Sequence, residues 1–161
     1  MVDTIAVRTA LVDLLEAAGA QNIYTEDPKL IDWEAVVDHL RQQDTQYVQI
    51  WVLRRVGSLP MTSETHHGQV PIGCMVYWNH TFNVMMFFGY IEGSSEDQMQ
   101  GLIDTVLTYM QEQRTLSETA FGVLAPLALQ SIQPRELGGI GGYEATFTIT
   151  VQTHETGLTP V

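Results

Sequence analysis

Basic residues are scarce in this chain of 161: Lys and Arg number 7 against 19 Asp and Glu, a formal net charge of -12. Duplex binding relies on Lys and Arg neutralising phosphates, so this balance argues against ordinary nucleic-acid binding. Charge of either sign is thin, at 16%, where an average soluble protein carries roughly 25%. Hydrophobic residues make up 45%, enough for a folded core and too many for a disordered chain. A chain so apolar and so poor in charge is expected to hide surface against other chains. Its one cysteine, Cys74, allows no intramolecular disulfide and no multi-cysteine zinc site. The most apolar run, Val84–Ile91, is too short to span a bilayer. No basic segment precedes an apolar stretch at the N-terminus, so the protein is expected to be intracellular or assembled inside a cell.

Residues 1–154 read as one α+β domain. Val7, Ala10, Leu11, Leu14, Leu15 and Ala18 recur at helical spacing, and Gly19 is a natural stop. Asn22–Tyr24 reads as a short strand before the Asp27-Pro28 turn. Asp32–Gln42 reads as a second helix, capped by Asp32, with Trp33, Val36, Val37 and Leu40 on its buried side. From Thr45 the period becomes two, with apolar residues on both faces, which predicts a strand covered on both sides. Gly57–Gly73 is rich in Gly, Pro, Ser, Thr and His and reads as a long loop, expected to act in assembly. Cys74–Ile91 reads as a long, bent or bulged strand. His80 falls among its apolar face, and Asn79, Thr81 and Asn83 lie opposite.

Ser95 and Gln98 form a capping box for a helix striped with Met99, Leu102, Ile103, Val106, Leu107 and Met110. Leu116–Gly122 reads as a turn or short helix, and Pro126–Gln133 as a strand. In the final strand Tyr143, Ala145, Phe147, Ile149 and Val151 point inward, and Glu144, Thr146, Thr148, Thr150 and Gln152 outward. Residues 155–161 are expected to be a loose tail. This order predicts a mainly antiparallel sheet containing a long hairpin, with the helices packed on one face.

No constellation in the chain reads as an active site. His39, His66, His67, His80 and His154 form no HExxH and no Cys/His spacing, so no metal is expected. His80 reads as a hydrogen-bonded core or interface histidine. Cys74 lacks an activating neighbourhood and reads as a small buried apolar residue. Gly138-Gly139-Ile140-Gly141-Gly142 leads into a strand rather than a helix, so it reads as a tight turn or bulge and not a phosphate loop. Asn79-His80-Thr81 matches a glycosylation sequon without a secretory signal. No catalytic, cofactor-binding or metal-binding residue is assigned.

Taken together, the opening helix, "IYTEDPKLIDWEAVVDHLR", the strand "WNHTFNVMMFFGYIEG" with its capped helix, and the closing "GGIGGYEATFTITVQ" resemble the tail terminator proteins of long-tailed bacteriophages and related tail-like particles. The likeness runs from about Val2 to Gln152. It implies a structural virion protein, located in the tail or neck and assembled in the host cytoplasm. It implies a ring, usually a hexamer, that caps the tail tube, stops tube polymerisation and joins the head-side connector or stopper. The family carries no catalytic residues and no cofactor, and DNA passes through the ring without specific binding. Acidic walls suit such a channel because they repel phosphate; Glu92, Glu96 and Asp97 are the candidate lumen residues. The alternatives are a head–tail completion or stopper protein of the same particle, a dimeric adaptor, and a small-ligand binding module or enzyme using His80 in a cavity under the Ser95 helix.

Overall fold

The computed structural model describes residues 4–43, 47–62, 75–91, 96–116 and 122–156. Period-two alternation builds its four long strands: β2 (Tyr47–Thr62), β3 (Met75–Tyr90), β4 (Gly122–Leu137) and β5 (Ile140–Thr156). A two-residue strand, β1 (Ile23–Tyr24), completes a sheet of order β1-β2-β3-β5-β4. Only the β1–β2 pair is parallel; the others are antiparallel. Period-3.6 stripes build α1 (Thr4–Ala17), α2 (Trp33–Gln42) and α3 (Glu96–Glu112). The architecture is α+β.

Two cores lie on opposite faces of the sheet, because successive strand residues point to opposite sides. On one face Val7, Leu11 and Leu15 of α1 and Met99, Ile103, Val106 and Met110 of α3 cover Trp51, Phe82, Val84, Met86, Phe88 and Phe147. Trp51 and Phe147 stack with ring centroids 5.8 Å apart. On the other face Val37 and Leu40 of α2 meet Val48, Ile50, Val52, Phe87, Leu137 and Ile140. The expectation of helices on one face is therefore corrected: α2 takes the opposite side. The reason is legible in the strands, since apolar residues on both faces of β2 and β3 need cover from both sides.

The expected loop at 57–73 is also corrected. Residues 57–62 continue β2, pairing from Gly57↔Thr81 to Thr62↔Val76; residues 63–73 lie outside the described ones. The irregularity expected in the second hairpin strand sits in its partner, between Arg55 and Gly57. There the register shifts by one residue, which turns Ser58 to the face of Arg55. β4 is longer than Pro126–Gln133 at both ends, and β5 runs to Thr156. Residues 155 and 156 of the expected tail thus belong to β5; 157–161 lie outside the described residues. Around the segment expected to turn at Leu116–Gly122, Thr115 bridges Gly122.

The glycine pair behaves as a hairpin turn. Gly138 (φ 57) and Gly139 (φ 84) connect Leu137 to its partner Ile140, the two-residue connection whose positive φ values match strand twist. A Cβ on Gly138 would stand 2.6 Å from the Trp33 carbonyl oxygen and from Val37 Cγ2. The turn is therefore seated directly on α2.

Candidate functional site

Sixteen-residue strands reach about 50 Å at about 3.3 Å per residue, further than the helices cover. Past the level of Phe82, β2, β3 and β5 run on together, with β4 alongside as far as the Gly122↔Gln152 pair. Polar side chains enter both faces of this stretch. On one side Thr81 and Thr150 hydroxyls lie 3.5 Å apart, and Gln152 Nε2 donates to Asn79 Oδ1 at 3.0 Å. On the other stands His80, 2% exposed. Its Nδ1 is 2.8 Å from Ser58 Oγ and its Nε2 is 3.0 Å from Thr153 Oγ1.

Burial, and secondarily the Arg55 charge, pushes the His80 pKa below its ordinary 6.5. The neutral ring then donates at one nitrogen and accepts at the other, as two flanking hydroxyls permit. His80 thereby ties β2 to β5 across β3. Ser58 stands at the distance of a nucleophile from a base, but the group on the far side of the ring is a hydroxyl where orientation of a catalytic imidazole calls for a carboxylate. The arrangement is a cross-link of three strands.

A second polar cluster holds the opposite face near α2. Glu144, expected to point outward, is 7% exposed. It forms an ion pair with Arg135 and accepts from Gln133 Nε2 at 3.3 Å. Burying that carboxylate is tolerated because Arg135, on the neighbouring strand, compensates its charge. Arg135 also reaches Met85 Sδ at 3.5 Å.

The third feature is a cleft of about 280 Å³ between the start of α1 and β2. Arg8, Arg54 and Arg55 line it, above a floor that includes Leu53 and Phe82. Three of the chain's seven basic residues thus converge there. The one carboxylate in the lining, Asp27, lies 4.0 Å from Arg54 and also caps a short 3-10 turn through the Lys29 amide. Among the described residues Arg8 and Arg55 form no ion pair. Exposed apolar side chains flank this edge: Ile5 at 64%, Val56 at 55% and Leu59 at 68%.

Both sheet edges are open to some degree. β1 pairs with β2 only at Trp51 and Val52, so β2 from Leu53 onward has a free outer side among the described residues. β4 forms the other edge, with Leu124 and Leu129 exposed. Pro126 and Pro134 interrupt its donor row, a common guard against indiscriminate strand pairing.

Of the candidate residues weighed on sequence, His80 is brought into a polar cluster. His39 is exposed on α2, 3.3 Å from Gln43 Nε2. His154 falls within β5. Glu96 and Asp97 are exposed in the first turn of α3. His66, His67, Cys74, Glu92 and Ser95 lie outside the described residues. Among the described residues no group of three or more His, Cys, Asp or Glu is placed to hold a metal. Among the described residues no helix is long and apolar enough to cross a membrane. Sequence reading missed the arginine cleft, whose members are separated by up to 47 positions and share no motif; the adjacent Arg54-Arg55 pair in so acidic a chain was the available signal.

No protein-family model matches the chain, and neither does any curated protein. Among solved structures the chain is similar to a sheath/tube terminator of the PVC extracellular contractile injection system in its extended state, determined by cryo-EM. The TM-score is 0.44 and the identity 15%; the match covers 100% of this chain and 62% of the other. A likeness at this level is one of coarse chain path and carries no residue-by-residue correspondence.

Proposed function

We propose that this chain is a structural subunit of a tail-like particle, a terminator that closes into a ring on the end of the tail tube, stops its polymerisation and meets the head-side connector. In this reading it is not an enzyme, needs no cofactor, and acts in the virion tail or neck. The observation that carries the reading is the pair of unlike edges of one sheet. One edge presents the arginine cleft with Ile5, Val56 and Leu59; the other presents β4 with Leu124 and Leu129. Unlike patches on opposite edges favour head-to-tail contact, and head-to-tail contact closes into a ring when the rotation allows. The resemblance in sequence to tail terminators supports the same role. Beyond the Gly122↔Gln152 pair only β2, β3 and β5 continue among the described residues, a projection able to reach a neighbour or the tube.

The test is mass and shape. Light scattering and negative-stain microscopy of the purified protein, alone and with tail tubes, should give a closed ring, six subunits by the resemblance, seated on tube ends. A protein that stays monomeric or dimeric and leaves tube ends bare overturns the reading. A ring located between terminator and head instead favours the stopper alternative.

A further inference from the structure

The arginine cleft raises a question that the ring reading leaves open: what compensates its charge. Arg54 has Asp27 at 4.0 Å, whereas Arg8 and Arg55 have no ion-pair partner among the described residues. Outside the cleft lining the chain holds only four basic residues against eighteen acidic ones. In so acidic a chain, two guanidiniums with no ion-pair partner among the described residues, gathered at one cleft, are an exception to the overall balance.

The complementary surface lies on the same molecule. Helix α3, EDQMQGLIDTVLTYMQE, contains no Lys or Arg; Arg114 stands just past its end. Its outer side carries exposed Asp104 and Glu112, which border a shallow depression with Thr105, Thr108 and Tyr109. Asp104, Thr108 and Glu112 recur every four residues, so they form one ridge about 12 Å long. The two surfaces share no residue within one chain. The cleft sits over β2 and β3 at the start of α1, while α3 packs towards β4, at the other end of the sheet. Both Arg55 and α3 belong to the same side of the sheet, so one subunit's cleft and the next one's ridge can meet in a side-by-side array.

We infer that the occupant of the Arg8/Arg54/Arg55 cleft is the Asp104–Glu112 ridge of α3 on a second copy of this chain. The inference rests on the ring reading and names its mating surfaces. Guanidinium–carboxylate pairing gives the contact direction and register, because an arginine fork reads a carboxylate at fixed geometry. Exposed Ile5 beside the cleft and half-buried Tyr109 in the depression add apolar contact. The repulsion between two equally acidic chains is thereby relieved at a place where their charges differ in sign.

Charge reversal with exchange tests this. The probes are wild type, Arg8→Glu/Arg55→Glu, Asp104→Lys/Glu112→Lys, and an equimolar mixture of the two double variants, followed by sedimentation velocity at low and high salt. Wild type is expected to form the closed oligomer and lose part of it as salt rises. Each double variant alone should run as a monomer, and the mixture should recover the oligomer, since every cleft then meets a ridge of opposite sign. Arg55→Glu alone, at an exposed site, guards against misfolding from the half-buried Arg8; it should weaken assembly with an unchanged melting curve. Variants that assemble as wild type does leave the ring standing and overturn the pairing. Dissociated variants whose mixture stays dissociated also overturn it. A wild type that never forms a closed oligomer, even with tubes, removes the ring reading itself.

Discussion

His80 sits between two hydroxyls at a depth where a charged imidazole is unfavourable, and its folded-state pKa is held below 6.5. The consequence for stability has a definite sign. Between 6.5 and the lowered native value the unfolded chain binds a proton that the native chain does not. The contribution is therefore fully present above 6.5 and is lost as pH falls through that window. Melting temperatures of wild type and His80→Gln, compared from about pH 8 to about pH 5, should show a steeper acid-side decline for wild type. Parallel curves would mean that the imidazole titrates alike in the native and unfolded chains, and a shallower decline for wild type that it is protonated in the fold; either would contradict this account.

The turn of the β4–β5 hairpin is a docking surface as well as a connection. Gly138 and Gly139 both have positive φ, so alanine at either strains the backbone. Only at Gly138 does the added Cβ also strike α2, at the Trp33 carbonyl and Val37. Gly139→Ala should cost about 1 kcal/mol from backbone conformation alone. Gly138→Ala should cost about 2–4 kcal/mol, since overpacking is added to the same strain. Urea denaturation midpoints measure both. Equal losses would show that the turn does not rest on α2. Asp32 caps the start of that helix by accepting from the Ala35 amide at 3.2 Å.

At the scale of the whole molecule, charge distribution matters more than its sum. A net charge of -12 keeps phosphate away over distances of the order of a Debye length, about 10 Å at moderate salt. Three arginines in one cleft are too few to track a duplex against that field. The free protein should therefore leave a DNA duplex unretarded in a mobility-shift assay at low salt; salt-sensitive binding would contradict this. Closing the cleft on a neighbour's α3 would leave the assembled surface still more uniformly acidic. Such a surface suits a channel through which DNA slides. Glu96 and Asp97, exposed at the start of α3, remain the described candidates for its wall.

Much of this architecture was legible in residue order. Helical stripes gave α1, α2 and α3 nearly to their ends, and the alternation from Tyr143 to Gln152 identified β5. The glycine turn was readable because a run leading into a strand calls for positive φ. These features depend on neighbours within a few positions, which periodicity reports directly. Three others depended on contacts between distant segments. Gly57–Thr62 has the composition of a loop, yet it is a strand because β3 supplies a partner for every residue from Gly57 to Thr62. Glu144 falls on the polar side of an alternating strand, yet it is buried because Arg135 stands beside it. Arg8, Arg54 and Arg55 read as scattered charges until the fold lays α1 against β2. By itself the sequence determined the elements, the α+β class and the acidic balance. The tertiary structure alone decided which face each helix covers and where the few positive charges gather, because burial and pairing belong to segments brought together by folding.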